Sequence, residues 1–299
     1  MANFLLRQCD LGNAFSEIRL AAAAGPRRGG EAFSRCIRVE PNIDKLLDAV
    51  VPPSGAVYLD IIRALADCGQ TRDALQVWDR LFLLRPQPKL QLRLVYQLVD
   101  ALRHQHLTHD AARVWTQAAA LSGFENLGHR SDSMLWDGGF ESGETGQAYS
   151  WNYFPNAHGV QIRVQSQEKH AGKQALRVTF DGRSDLNFRD VCHNIPLQRS
   201  ASYHFSAWIR AGEVSTDQGV HFVLNAAGQT AEPPLVTRDV LGSFDWRQVT
   251  ADWTPPSGAA EAQLCLARLP SDQPDNKIRG TIWLDDVALV PVDPKSSNR

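Results

Sequence analysis

The residues best suited to ligand chemistry lie on predicted strands in the C-terminal half of the chain. In one strand His204, Trp208 and Arg210 alternate with apolar residues, and successive side chains of a strand point to opposite faces. By the same alternation, Trp283 and His221 fall on the non-core faces of their own strands. Aromatic rings pack against the C–H groups of a sugar ring, and polar side chains bond its hydroxyls. The sequence therefore predicts a ligand-binding face built from His204, Trp208, Arg210, His221 and Trp283.

The competing interpretation is that these tryptophans are covered. Trp is usually substantially buried, so the helical half of the chain or loops would then lie over Trp208 and Trp283. Three further tryptophans, Trp151, Trp246 and Trp253, are predicted to belong to the core. An open groove on this face would favour ligand binding, and a plugged one would favour a structural role.

No sequence pattern of a common enzyme class accompanies these residues. The chain lacks a Gly-x-Ser-x-Gly elbow, a phosphate-binding loop, a His-Glu-x-x-His zinc motif and a dinucleotide-binding Gly-x-Gly-x-x-Gly turn. Glycoside hydrolysis needs only two suitably spaced carboxylates, which could be drawn from Glu141, Asp190, Asp285 and Asp286. We expect a protein that is not an enzyme, with an unrecognised glycan hydrolase as the minor alternative.

The elements that must position the ligand face are short strands separated by Gly, Pro, Asn and Asp turns. No helical segment intervenes, which favours an antiparallel sandwich over a parallel α/β domain. Eight strands are predicted: 160–165, 174–180, 189–197, 202–211, 220–225, 246–254, 262–269 and 281–290.

The N-terminal half has the helical period and an internal repeat at an offset of 37 residues. Thr71, Asp73, Ala74, Val77 and Trp78 recur as Thr108, Asp110, Ala111, Val114 and Trp115. Each Thr is expected to be a helix N-cap, with the Asp in the first turn. The Ala and the Trp four residues later share one helical face. The fold class is therefore α followed by all-β, with helix pairs at 54–87 and 91–124.

Composition limits the partners and the compartment. The formal net charge is −2, and no Lys or Arg cluster occupies a continuous face, so nucleic acid is not an expected partner. No stretch approaches the roughly 20 apolar residues that span a bilayer, so direct membrane insertion is not expected. The first residues lack the basic start of a secretory signal peptide. The default location is the cytoplasm, and a start further upstream would make the bacterial periplasm or envelope plausible.

The five cysteines are widely spaced and odd in number, with no Cys-x-x-Cys pair. This pattern indicates neither a disulfide framework nor a zinc site. The expectation is buried free thiols, which are typical of unpaired cysteine.

The helical repeats resemble the tetratricopeptide repeat. In the first unit Tyr58, Gly69, Ala74, Trp78 and Pro86 match its pattern, and Leu81 departs from it. The second unit has His106 in place of the Gly and no closing Pro, and a more degenerate unit is placed at 14–41. The resemblance implies a scaffold that docks a protein partner. The alternative is that the helices only brace the neighbouring domain.

The C-terminal half resembles the galactose-binding-like β-jelly-roll carbohydrate-binding modules of bacterial enzymes. It opens with Asp-Gly-Gly-Phe-Glu at 137–141, continues through His-Ala-Gly at 170–172, and closes with Trp-Leu-Asp-Asp-Val at 283–287. The resemblance implies a jelly roll at 134–292 that binds a polysaccharide or glycan. Residues 126–133 are predicted to be a linker and 293–299 a flexible tail.

The same resemblance implies a structural calcium that ties the two ends of the jelly roll together. Its expected ligands are Glu141, Asp286 and the backbone of Lys173, since calcium takes hard oxygen ligands. The alternative is that both carboxylates only accept hydrogen bonds from neighbouring turns.

These patterns together predict a non-catalytic protein whose helices dock a protein partner and whose jelly roll binds a glycan. The competing hypothesis is a pure interaction scaffold in which the jelly roll binds no sugar.

Overall fold

The structure of the chain is a computed structural model that describes residues 11–25, 29–124, 132–143, 146, 148–199, 201–227 and 233–292. The chain separates into two compact units, residues 1–125 and residues 126–299, called here the helical unit and the β unit. Most of the predicted linker and all of the predicted tail lie outside the described residues, as does Cys9.

The described part of the helical unit contains seven α-helices and one 3₁₀ turn. They are α1 (Leu11–Ala24), α2 (Gly29–Cys36), α3 (Ile43–Val50), α4 (Gly55–Asp67), α5 (Thr71–Phe82), the 3₁₀ turn Leu92–Val95, α6 (Tyr96–His104) and α7 (Thr108–Leu121). None of the described helices has both the length and the apolar character needed to cross a bilayer.

The residues that repeat at the offset of 37 occupy equivalent places in α5 and α7. The repeated Ala, Val and Trp are all buried, with Trp78 fully buried and Trp115 nearly so. The Trp78 indole Nε1–H donates to Gln117 Oε1 at 2.8 Å, which links the two helix pairs. One detail of the prediction is wrong, because the N-cap positions are Gln70 and Leu107. Thr71 is the first helical residue, and its hydroxyl accepts a hydrogen bond from Gln105 Nε2 at 2.8 Å.

Two glycines at the start of α2 allow it to approach α4 closely. A Cβ at Gly29 would lie 2.8 Å from Val57 Cγ1, and one at Gly30 would lie 2.8 Å from Ala64 Cβ. The Gly30 N–H donates to Asp60 Oδ2 at 2.8 Å. Any larger residue at either position would push the two helices apart.

The described part of the β unit contains eleven strands in two antiparallel sheets. The strands are β1 (Trp151–Tyr153), β2 (Asn156–Ala157), β3 (Val160–Gln165), β4 (Ala175–Asp181), β5 (Phe188–Pro196), β6 (Ser202–Ser215), β7 (His221–Ala226), β8 (Leu235–Val236), β9 (Gly242–Trp253), β10 (Glu261–Arg268) and β11 (Arg279–Val292). One sheet has the order β1-β5-β10-β7-β8, and the other has the order β2-β3-β4-β11-β6-β9. The predicted antiparallel sandwich is confirmed. All eight predicted strands are present, and the short β1, β2 and β8 were not predicted.

The core of the β unit lies between the two sheets. The inward side chains of β6, Tyr203, Phe205 and Ile209, are fully buried, as their alternation predicts. They pack in one cluster with Val191, Leu224 and Leu264 from the five-stranded sheet. Alternation on β4, on β6 as far as Arg210, and on β11 from Thr281 to Asp285 therefore determines which side chains of these strands reach the outer face of the six-stranded sheet.

The two ends of the β unit are held together by backbone hydrogen bonds. The Val287 N–H donates to Gly138 O at 3.0 Å, and the Met134 N–H donates to Leu289 O at 2.8 Å. A Cβ at Gly138 would lie 1.8 Å from the Val287 carbonyl oxygen, so only glycine permits this approach. The opening motif at 137–141 is thereby placed beside the closing motif at 283–287.

Cys192 and Cys265 form a disulfide, which contradicts the expectation of free thiols. They are direct cross-strand partners on β5 and β10, with their Cα atoms 4.1 Å apart. The pairing follows from sheet register across 73 residues, which cysteine spacing alone does not reveal. Cys36 is a buried free thiol as expected, and burial raises its pKa to about 11. Cys68 is an exposed free thiol.

Candidate functional site

The outer face of the six-stranded sheet carries four of the five residues predicted to bind a ligand. His204, Trp208 and Arg210 lie on β6, and Trp283 lies on the neighbouring β11. Arg210 and Trp283 are direct cross-strand partners. All four side chains are partly exposed, whereas the residues between them on each strand are mostly buried. This outer face is the candidate site.

His221 does not belong to this face, so its predicted place in the site is wrong. It begins β7 in the five-stranded sheet, and the core separates that sheet from the outer face of the other. Its exposed fraction is 8%, and its Nδ1 lies 2.9 Å from Asp239 Oδ1. Alternation showed that His221 points away from the core, but it cannot show to which sheet a strand belongs.

Trp283 lies between two arginines from the strands on either side of it. Arg177 of β4 and Arg210 of β6 are both its cross-strand partners. The guanidinium carbons of these arginines lie 5.8 and 5.3 Å from the indole centroid, within cation–π range. The ring is therefore held between two positive charges.

Trp208 is covered on one side by the loop between β3 and β4. This loop, residues 166–174, is called here the covering loop. The His170 ring stacks on the Trp208 ring, with centroids 3.8 Å apart and planes at 14°. The edge of the same imidazole meets Trp246 of β9 at 5.8 Å. Trp246 is thus partly exposed on the outer face instead of lying in the core as predicted, while Trp151 and Trp253 are buried as expected.

The covering loop also contacts the arginine beside Trp283. Glu168 of the loop forms an ion pair with Arg210, whose Nε also lies 3.6 Å from Asp245 Oδ1. At the far end of β6, His204 Nδ1 lies 2.7 Å from Asp252 Oδ1 on β9. The alternative in which loops cover the tryptophans therefore holds for one side of Trp208. It does not hold for Trp283, which is partly exposed between the two arginines.

Carboxylates from both ends of the β unit anchor the covering loop. Asp285 is fully buried, and its Oδ2 accepts the N–H groups of His170 and Ala171 at 2.8 and 3.0 Å. Asp286 Oδ2 lies 2.6 Å from His170 Nδ1. Glu141 Oε1 accepts the N–H of Lys173 at 2.6 Å and that of Gln174 at 3.1 Å. Burial raises the pKa of Asp285 to about 6, against the hydrogen bonds that lower it.

The opening motif is itself held by a buried carboxylate. Asp137 accepts the N–H groups of Glu141 and Ser142 at 2.7 and 3.1 Å, and its carbonyl accepts the Trp151 indole N–H at 2.8 Å. Burial raises the pKa of Asp137 to about 6. Phe140 stacks on Trp151, with the centroids 4.8 Å apart. These contacts hold Glu141 where it reaches the covering loop.

The residues expected to bind calcium all lie at the covering loop, where Glu141 and Asp286 form hydrogen bonds with the loop. Glu141 and Asp286 supply the hard oxygen atoms that calcium prefers. Lys173 faces Glu141 with its N–H, which is a hydrogen-bond donor and not a cation ligand. Among the described residues, no group of three or more His, Cys, Asp or Glu side chains is arranged to hold a metal ion. The donor types suit calcium, and the contacts match the alternative in which both carboxylates bind neighbouring turns.

Comparison with known families decides what kind of domain carries this face. The family described as "Carbohydrate binding domain" matches residues 132–271. Residues 132–271 are a carbohydrate-binding domain. The match ends before β11, so Trp283 and the closing motif lie just beyond it. No curated protein is significantly similar to the chain.

Three solved structures illustrate the similarity of the carbohydrate-binding domain to known modules. TmCBM61 in complex with β-1,4-galactotriose is 15% identical, with a TM-score of 0.38 and coverage of 54% of this chain and 99% of its own. A family 4 module is 19% identical, with a TM-score of 0.30 and coverage of 48% and 86%. A tandem family 22 module from Paenibacillus barcinonensis is 14% identical, with a TM-score of 0.36 and coverage of 52% and 44%.

Three residues of the outer face were not predicted from the sequence. Arg177 could have been found by applying alternation to its strand, where Leu176 and Val178 are buried. Trp246 lies near a register shift between β6 and β9, where simple alternation fails. His170 is in a loop, and no periodicity predicts that its ring folds over Trp208.

Proposed function

We propose that this protein is a non-catalytic binding protein whose carbohydrate-binding domain holds a polysaccharide on the outer face. The observation that carries the proposal is the set of three partly exposed tryptophans on the outer face: Trp208 and Trp246 within the carbohydrate-binding domain, and Trp283 on β11 just beyond the matched residues. Aromatic rings with polar neighbours are what a sugar ring requires, and here Arg177 and Arg210 flank Trp283.

In this proposal the covering loop and the ligand compete for Trp208. The His170 ring lies 3.8 Å from the indole, so a sugar ring cannot stack on that side until His170 moves away. Trp283 has no such ring over it among the described residues. A glycan would therefore contact Trp283 first and reach Trp208 by displacing the loop.

We propose that the helical unit docks a protein partner and that its helix pairs are tetratricopeptide-like. Support comes from the equivalent burial of the repeated Ala, Val and Trp residues in α5 and α7. Further support comes from a groove of about 1010 Å³ within this unit, whose lining includes Leu59, Pro88 and Leu94 beside Asp60 and Arg63. A mixed apolar and charged groove of this kind suits a peptide segment.

We also propose that calcium binds at the carboxylates of Glu141 and Asp286, with the backbone carbonyl of Lys173 as a third ligand. When bound, the ion would neutralise carboxylates that reach the covering loop from opposite ends of the β unit. The support is that Glu141, Asp285 and Asp286 all contact residues 170–174. The ion would hold the loop and take no part in sugar recognition.

The second candidate function is a pure interaction scaffold with a jelly roll that binds no sugar. The stacking of His170 on Trp208 favours it, because that contact fills one surface that a glycan would use. In this case the covering loop would be a permanent part of the fold.

A glycan array and insoluble-polysaccharide pull-down on the full-length protein would test the proposal, each with and without calcium. We expect retention on at least one polysaccharide, and about a tenfold loss in Trp283→Ala, which corresponds to 1.4 kcal/mol. Unfolding curves of the variant would confirm that it is folded. Retention on no polysaccharide in either condition would favour the scaffold.

A further inference from the structure

The outer face carries a row of three arginines, and the ligand face predicted from sequence included one of them, Arg210. Arg163 on β3 pairs with Arg177 on β4, Arg177 pairs with Trp283 on β11, and Trp283 pairs with Arg210 on β6. Neighbouring strands lie about 4.8 Å apart, so this row spans roughly 14 Å across four strands. It is called here the arginine row.

The charges in the arginine row are not balanced within the sheet. Arg163 and Arg177 lie directly opposite each other, an arrangement of like charges that destabilises a sheet. Among the described residues neither forms an ion pair, and the buried Nε of Arg177 has no hydrogen-bond partner. Residues 132–299 contain 15 Lys and Arg against 20 Asp and Glu. Arg163 and Arg177 therefore form a local excess of positive charge in an acidic half of the chain, and a negatively charged ligand would neutralise it.

The covering loop shows which chemistry fits the face. It places the carboxylate of Glu168 on Arg210 and the flat ring of His170 on Trp208, which lies two residues before Arg210 on the same face of β6. An acidic sugar has the same two groups, a ring that could stack on Trp208 and a carboxylate that could pair with Arg210. Arginine suits this role because its planar fork matches a carboxylate with two parallel hydrogen bonds.

We infer that the outer face binds a polysaccharide of carboxylated sugars, with the arginine row as its charge-recognition element. This inference rests on the proposed function, since it names the class of glycan for the same face. The acidic sugars displace Glu168 and His170 from Arg210 and Trp208, while Arg163 and Arg177 take carboxylates that the loop does not supply. Neutral polysaccharides bind more weakly because they leave these charges unpaired.

The test measures retention of the full-length protein on polygalacturonate, dextran sulfate and a neutral galactan at low and high salt. We expect the tightest binding to polygalacturonate, weakening at high salt because the charges are screened. Arg177→Gln and Arg163→Gln are each expected to lose about tenfold in affinity. Arg183→Gln is the matched control, because its side chain is 86% exposed in the turn after β4, and it should bind as wild type.

Each contrary result has a distinct meaning. Binding to the neutral galactan with no effect of Arg177→Gln would overturn the inference and leave glycan binding intact. Preference for dextran sulfate over polygalacturonate would overturn the assignment to carboxylated sugars. Retention on none of the three polymers, with folded variants, would overturn both the inference and the proposed function.

Discussion

The imidazole of His170 lies flat on the indole of Trp208, with ring centroids 3.8 Å apart and planes at 14°. One backbone hydrogen bond to Asp285 and a side-chain contact with Asp286 hold His170 in that place. The side of Trp208 that a sugar would use is therefore occupied by the protein's own loop. In the proposed function, the covering loop and a glycan compete for this side of Trp208.

Removal of the His170 ring should strengthen glycan binding. In His170→Ala the covered side of Trp208 becomes free, so we expect retention on polysaccharide to rise several-fold, since stacking of this kind contributes about 0.5–1.5 kcal/mol. His158→Ala, in an exposed turn of the same unit, is the control. The measurement is the affinity of the three full-length proteins for one retained polysaccharide. Weaker binding of His170→Ala would mean that His170 is part of the binding surface and not its competitor.

Truncation of Arg268 should destabilise the β unit strongly. Its side chain is fully buried, and it bonds Asp185 Oδ1 at 2.8 Å and the carbonyls of Leu186 and Gln218 at 2.7 and 2.8 Å. Arg268→Ala removes the charged partner of Asp185, which among the described residues keeps only the Ser271 N–H, and the donor to both carbonyls, so we expect a loss of about 3–5 kcal/mol in the free energy of unfolding.

Urea unfolding followed by tryptophan fluorescence measures this effect. The control is Arg279→Ala, since Arg279 is largely exposed and lies 3.7 Å from Glu213. Exposed pairs of this kind contribute little, so the control should unfold almost as wild type. Equal behaviour of the two variants would contradict the anchoring role of Arg268.

The Cys192–Cys265 disulfide should be present in oxidised protein and should stabilise the β unit. We expect the double variant Cys192→Ala/Cys265→Ala to lose about 2–4 kcal/mol in the free energy of unfolding, because the link restrains the unfolded chain. Cys68→Ala, at an exposed free thiol, is the control. Peptide mapping without reductant should recover the two segments as one linked species, and recovery of separate free thiols would contradict the pairing.

The sequence predicts periodic features well and non-periodic ones poorly. Alternation placed Phe205 and Ile209 in the core and Trp208 and Trp283 opposite them, because a strand has only two faces. It could not assign His221 to the correct sheet, since sheet membership is set by contacts between distant strands.

The same limit explains the features of the β unit that were missed. The Cys192–Cys265 pair depends on the register of β5 and β10, and the position of His170 depends on the hydrogen bond that its backbone N–H donates to Asp285. Trp246 is predicted to be buried because most tryptophans are, whereas the structure places it on the outer face, near the register shift between β6 and β9. Each miss involves a long-range contact that no local pattern encodes.

Calcium, if held at Glu141 and Asp286, should stabilise the β unit. At a concentration of 100 times its Kd, a ligand that binds only the folded state adds about 2.7 kcal/mol. We expect a chelator to lower the Tm of the wild type and to leave that of Glu141→Gln unchanged. The control is Glu213→Gln, at an exposed position, which should respond to the chelator as wild type does. A chelator-insensitive Tm with no metal in elemental analysis would contradict the proposal.

If the outer face of the β unit binds a glycan through its tryptophans, removal of one of these rings should weaken binding. The most direct measurement is the affinity of wild type, Trp208→Ala and Phe154→Ala for a retained polysaccharide, with unfolding curves for all three. Phe154 is 63% exposed on the same unit but follows β1 of the other sheet, so it controls for loss of any exposed aromatic. We expect about a tenfold loss of affinity in Trp208→Ala, equal to 1.4 kcal/mol, and no loss in Phe154→Ala. Unchanged affinity in a folded Trp208→Ala would contradict glycan binding through these rings.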